Sequence, residues 1–305
     1  MNDHDSAFAG LVDADTLDQW AFGTSFDDPL AGVDTTLADG IDATDLATYC
    51  LMLADDALIS AQRLTQWCTN SPELEEEVAL SNIGLDLLGQ ARLLLARAAA
   101  ADPAIVPTLP EGSPAPAEDA LAFFRDEPFF RCVRLVELAN GDFAQSIARL
   151  LVFSTYRLAV LDRLCGSRDP VLAAVAAKGV KELTYHRDYA ARWFITLADG
   201  TDESRTRIEH ADTSIWPYVD ELFTANPVEQ RLAAVGAAVD SSTLRTEFDS
   251  VVEQVLRASA LPVPTARPVM VVDGRSGRDG IHTEALSYLL AEMQSVARAH
   301  PTATW

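Results

Sequence analysis

Positive charge is what this chain lacks first. Of 305 residues, 23 are Lys or Arg against 46 Asp or Glu, a formal charge of −23 with a pI near 4.4. No Lys or Arg occurs before Arg63. That balance excludes nucleic-acid binding, because neutralising phosphates needs a basic face, and it disfavours an anionic membrane surface for the same reason. Long apolar runs are missing too: no stretch of eighteen or more residues is free of charge, and the opening MNDHDSAFAG has neither the basic nor the apolar region of a secretory signal. A cytoplasmic location is expected. Cysteine is scarce: Cys50, Cys68, Cys132 and Cys165 stand singly in apolar contexts, so neither a disulfide framework nor a Cys-x-x-Cys metal site is suggested, and buried reduced thiols are expected. Neither G-x-S-x-G nor H-E-x-x-H occurs. GRSGRDG at 274–280 has glycines and two arginines but follows no strand; docking of a partner or an acidic group stays open for it. His282-Thr283-Glu284 reads as a helix start, with Thr283 as its cap, rather than as a catalytic dyad.

What is there is helix. Residues 1–41, mixing Asp, Gly and Thr with a few aromatics, show no sustained period and are expected to be an acidic N-terminal extension, partly disordered or an extended arm; residues 42–305 are expected to form one helical domain. A helix is predicted from Asp42 or Thr44 to about Cys68, and after a short turn a second from Ser71 to Ala101, with Ser71 as cap, Pro72 at the first position and Glu73 to Glu77 at the positive end of the dipole. A tight connection makes this pair antiparallel. In the second helix Asn82, Asp86 and Gln90 follow at i, i+4 and i+8, a polar stripe flanked by apolar residues and expected to point inward. The glycines Gly84 and Gly89 suggest a close neighbour. A proline-rich crossover over 102–118 leads to a helical run through FFRCVRLVELA, broken at Asn140-Gly141, then to a long helix capped by Asp142 and a fourth from about Val171 to Gly200. Further helices are predicted at Glu203 to Phe223, Ser242 to Ser259 and Thr283 to Ala299. Two linked pairs joined by one longer crossover are the pattern of a ferritin-like four-helix bundle, here all-α with additional C-terminal helices.

Such bundles hold two irons with a Glu from each of two helices and a Glu-x-x-His from each of the other two. This chain approaches that set and misses it. DLLGQ puts Leu87 where the carboxylate belongs and Gln90 where the imidazole belongs; KELTYH offers Glu182 and His186 at i, i+4, with Leu183 at the i, i+3 place. The third helix has no Glu between Asp142 and Leu161, and the first offers only Asp55 and Asp56. His186 alone reads as a hydrogen-bonded core histidine, Glu182 as a partner of Lys178 or His186, and Asp86 as one half of a buried ion pair with Arg92, Arg149 or Arg157. No metal, cofactor or catalytic residue is assigned to the chain: Asp55, Asp56, Asp86, Leu87, Gln90, Glu182, Leu183 and His186 are degenerate di-iron positions.

The segments NIGLDLLGQAR (82–92), ELANGDFAQSIAR (137–149), SRDPVLAAVAAKGVKELTYH (167–186), ADGTDES (198–204) and GIHTEALSYLLAEMQ (280–294) together resemble the C-subunit family (PaaC) of bacterial phenylacetyl-CoA epoxidases, over roughly residues 43–305. The resemblance implies a ferritin-like, structural subunit of a multicomponent monooxygenase of aerobic phenylacetate catabolism. It implies as partners a homologous catalytic A subunit, which carries the di-iron site and epoxidises the ring, other epoxidase subunits, and a reductase delivering electrons from NADPH through flavin and iron–sulfur groups. A hetero-oligomer is expected, with a homodimer open for the chain alone. Two other readings compete: an oxidase or oxygenase with an atypical site of Asp55 or Asp56, Asp86, Glu182 and His186, and a stand-alone iron-storage or interaction bundle.

Overall fold

The computed structural model describes residues 30, 32–269 and 273–303. The expectation for residues 1–29 and 31 lies outside these; residues 32–41 run as turns and coil, with Ile41 buried. The first helix, α1 (Ala43–Thr65), begins where Asp42 accepts the Asp45 N–H at 2.9 Å, a side-chain cap that satisfies one orphan donor. Turns over 66–73, with Thr69 at φ 67°, return the chain as α2 (Leu74–Ala101). The start predicted at Ser71 is therefore three residues early. Ser71 Oγ donates back to the Trp67 carbonyl instead, and the helix N-cap, Glu73, makes no side-chain bond. A Cβ at Gly84 would stand 3.6 Å from both Ala61 O and the Leu64 side chain, so α1 and α2 pack closely there, as the glycine suggested.

The crossover is not all loop: α3 (Ala117–Phe123) begins inside it. Beyond α3 the predicted helical run is corrected. A single 3₁₀ turn, Glu127–Phe129, is followed by extended chain and by α4 (Arg134–Glu137), only four residues long. The reason is long-range: the N–H groups of Arg131 and Val133, which a helix would give to its own carbonyls, donate to the carboxylates of Asp55 and Asp56 on α1 at 2.8 and 2.9 Å. Two buried acceptors on a neighbour outweigh local propensity.

Asp142 caps α5 (Phe143–Leu164) and Asp169 caps α6 (Pro170–Asp199), each accepting an N–H at 2.9 Å. Asp169 also holds the fully buried Arg97 of α2 at 2.6 Å. α5 and α6 form the second antiparallel pair, and α2 against α6 joins the pairs into a four-helix bundle. The predicted stretch 203–223 is α7 (Asp202–Ile215) with two 3₁₀ turns after it; α8 (Pro227–Ala234), capped by Asn226, was not predicted. α9 (Arg245–Ala258), α10 (Glu284–Met293) and α11 (Ser295–Ala299) complete the chain. Thr283 stands at the N-cap of α10, but its side chain caps nothing. Among the described residues there is no strand; the fold is all-α and ferritin-like. Of the described helices, α2 alone is long and apolar enough to span a membrane by composition, and its inner face is buried in the bundle.

Candidate functional site at the polar centre of the bundle

Helical spacing turns α2 gradually, so the predicted stripe does not face one way. Asn82 is exposed, Asp86 half-buried and Gln90 buried. Only its last member points inward, and there it meets Arg157 of α5. Arg157 Nε donates to Gln90 Oε1 at 3.0 Å and its Nη1 to the Leu53 carbonyl of α1 at 3.0 Å, while Gln90 Nε2 donates to Glu182 Oε2 of α6 at 2.8 Å. Glu182 also pairs with Lys178 at 3.4 Å, as predicted. Gly179 makes the approach possible, since a Cβ there would come within 2.5 Å of Leu161 and 3.3 Å of the Gln90 amide. Burial pushes the Arg157 guanidinium below its usual value, with Asp56 opposing. Its Nη2 has no hydrogen-bond partner among the described residues. Around this chain of bonds Leu87 and Leu183 are fully buried and offer no donor atom.

Asp86 does not meet an arginine. Its Oδ2 lies 3.0 Å from His186 Nε2, so the ion-pair partner expected among Arg92, Arg149 and Arg157 is replaced by a histidine one α6 turn from Glu182. Arg92 faces Glu118 instead, and Arg149, pushed down to about 9 by burial and by Arg63, donates to the Leu138 carbonyl and Asn140. His186 is buried, its Nδ1 unpartnered; burial lowers its pKa, against the hydrogen bond to Asp86.

The α1 acids belong to a second, tighter cluster. Asp55 accepts both Nη atoms of Arg125 as well as the Arg131 N–H, and Asp56 accepts Arg278 Nη1 and Nη2 at 3.0 and 2.8 Å as well as the Val133 N–H. Both carboxylates are fully buried. Arg278 comes from the GRSGRDG loop, which does dock an acidic group, and bonds the Met52 and Arg131 carbonyls too. Gly277 lets that loop in: a Cβ would stand 2.2 Å from the Cys132 carbonyl. Next to it lie Glu137, His282 and Cys132. His282 Nδ1 is 2.8 Å from Glu137 Oε2 and its Nε2 3.1 Å from the Phe130 carbonyl, while the Cys132 thiol donates to Glu137 at 3.8 Å and the Thr283 N–H also donates to Glu137. Both ring nitrogens face acceptors, an arrangement that favours the protonated ring. Burial alone would depress it, but the bond and charge of Glu137 raise it above the usual value. The Cys132 thiol is pushed far up by burial and by Glu137. Cys50 and Cys132 are buried free thiols as expected; Cys68 and Cys165 are exposed, a correction, because both sit at the outer ends of their helices.

Sequence reasoning thus found Asp55, Asp56, Gln90, Arg157, Glu182 and His186 but missed Gly179 and also Arg125 and Glu137, which meet Asp55 and His282 across 70 and 145 residues of chain. The fold and this interior define a ferritin-like helical bundle with a hydrogen-bonded polar centre. The family model of the phenylacetic acid catabolic proteins matches residues 34–305, and the chain belongs to that family. It is 41% identical over 260 residues to the C subunit of the 1,2-phenylacetyl-CoA epoxidase of Escherichia coli strain K12, an alignment spanning 85% of this chain and 99% of the relative.

Proposed function

We propose that this chain is the non-catalytic, structural subunit of a cytoplasmic 1,2-phenylacetyl-CoA epoxidase, paired with a catalytic A subunit that carries the di-iron site and is supplied with electrons by a separate reductase holding flavin and iron–sulfur groups. The family and the name of the E. coli relative support the pathway and the complex. One observation supports the division of labour: at the places where two irons need carboxylates stand Leu87 and Leu183, and between the helices the Arg157 guanidinium bonds Gln90.

The residues present do not fit a pair of irons. Glu182 and His186 are one carboxylate and one imidazole, Asp55 and Asp56 are each held by an arginine, and a buried guanidinium repels a cation. At an effective dielectric near 20, a dication about 4 Å from a guanidinium meets roughly 8 kcal/mol of repulsion. The same pairings count against the atypical-site reading, since Asp55 and Asp56 already have cationic partners. What the interior supports instead is a rigid body: the buried pairs Asp55–Arg125 and Asp56–Arg278 fix helix register without chemistry.

The test is metal analysis of the purified chain together with co-purification against the family member bearing intact Glu-x-x-His motifs. Absence of stoichiometric iron in the lone chain, stable capture of the relative and epoxidation only by the pair are expected. Two irons per lone chain, or turnover by it that is lost in His186→Ala, would overturn the proposal.

A further inference from the structure

α2 has an outer face that the bundle does not use. Leu74, Val78, Leu85 and Leu88 are 72%, 53%, 63% and 47% exposed. With Ser81 and Arg92 they succeed one another at intervals of 4, 3, 4, 3 and 4 residues. That is a 3.5-residue repeat, which keeps side chains in a single line along a helix and is the seam against which a second helix seats its own knobs. Single exposed leucines are ordinary; a row in register over five turns is not. Beside the row, Gly89 has no atom within 4 Å of where a Cβ would stand, contrary to the close neighbour its sequence position suggested. It opens onto a groove of about 350 Å³ between α2 and α3, lined by Leu85, Leu88, Leu95 and Phe123.

Charge says what kind of helix fits. The seam is bordered by Glu73, Glu75 and Glu77 at its start and by the half-exposed Asp86, while the cation on it, Arg92, faces Glu118 at 3.6 Å. A second copy would set one chain of charge −23 against another. We propose that residues 74–92 are the docking seam for an amphipathic helix of a partner chain whose apolar row repeats every 3.5 residues and is flanked by Lys or Arg. This rests on the proposed pairing with a catalytic relative and assigns the face on which that pairing occurs.

The experiment compares capture of that relative by the wild-type chain and by the Leu85→Glu/Leu88→Glu double variant. Both side chains are exposed, so the variant's circular dichroism and melting midpoint should match the wild type. An affinity at least 100-fold weaker, and weaker wild-type binding in 0.5 M salt, are expected. Hydrogen exchange on the wild-type complex, with slowed exchange over 74–92, reads the same surface without any substitution. Equal capture by the variant, or unchanged exchange over 74–92 in the complex, overturns the seam while leaving the pairing intact. Failure of the wild-type chain to capture the relative overturns the pairing and the seam with it. A wild-type homodimer that the double variant dissolves would show the occupant to be a second copy and overturn the partner assigned.

Discussion

His186 and His282 are both buried, both face a carboxylate, and behave in opposite ways. His186 has one partner, Asp86, whose side chain is 39% exposed, and its other ring nitrogen has none. His282 has acceptors at both nitrogens, and its carboxylate partner is as buried as it is. Burial therefore wins at His186, whose pKa is lowered, while at His282 the pairing wins and the pKa is raised. The two histidines report on their surroundings. Around His282 the acids and the cations close on one another; around His186 and Arg157 the polar groups are thinly satisfied among the described residues.

Glu137→Gln tests the tight side and should have the largest effect. It removes the buried carboxylate charge that faces His282, and a loss of about 3–5 kcal/mol in denaturant unfolding is expected, with the His282 pKa falling. Asp56→Asn should cost somewhat less, about 3 kcal/mol by the same assay, because one of Arg278's acceptors is weakened while the Met52 and Arg131 carbonyls still receive it. On the thin side Arg157→Met should cost only about 1–2 kcal/mol, since it removes a desolvated cation together with two hydrogen bonds, and adding Gln90→Leu should recover part of that loss. Asp86→Asn should be smallest, under about 1 kcal/mol, since Asp86 keeps contact with water.

The pH dependence has opposite signs on the two sides. His186 titrates below its unfolded value of 6.5, so its contribution is present above pH 6.5 and is lost as the pH falls from there through the folded pKa. His282 titrates above 6.5, so its contribution is complete below that pH and is lost as the pH rises through the folded pKa. Following each ring by NMR across pH 4–10 should show His186 titrating below 6.5 and His282 above it; two coincident titrations would erase the distinction.

Much of the fold was legible because its signals are local. Asp42, Asp142 and Asp169 are caps in the sequence and caps in the structure, and the glycine and proline breaks ended the helices predicted to end there. The interior was half legible. Leu87, Gln90 and Leu183 show in the sequence itself where the chain departs from a Glu-x-x-His pattern. What could not be read was who replaces it. The run after Phe129 looks helical, and only the carboxylates of Asp55 and Asp56, more than 70 residues earlier, draw its N–H groups away. Asp86 looked like an arginine partner because Arg92 follows it on the same helix and Arg149 and Arg157 sit on another helix of the bundle; α5 turns Arg157 toward Gln90 instead. α8 carried its signal in Asn226-Pro227, a capping residue before a first-turn proline, but was too short to show a period.

The bond between Asp56 and Arg278 spans 222 residues of chain. During synthesis, then, the first helix leaves the ribosome with a carboxylate destined for a water-free interior and no cation to meet it until nearly the whole polypeptide has emerged. The helical pairs can form early, but the bundle cannot close over that charge until its distant loop arrives, so the last tenth of the chain sets when the rest becomes native.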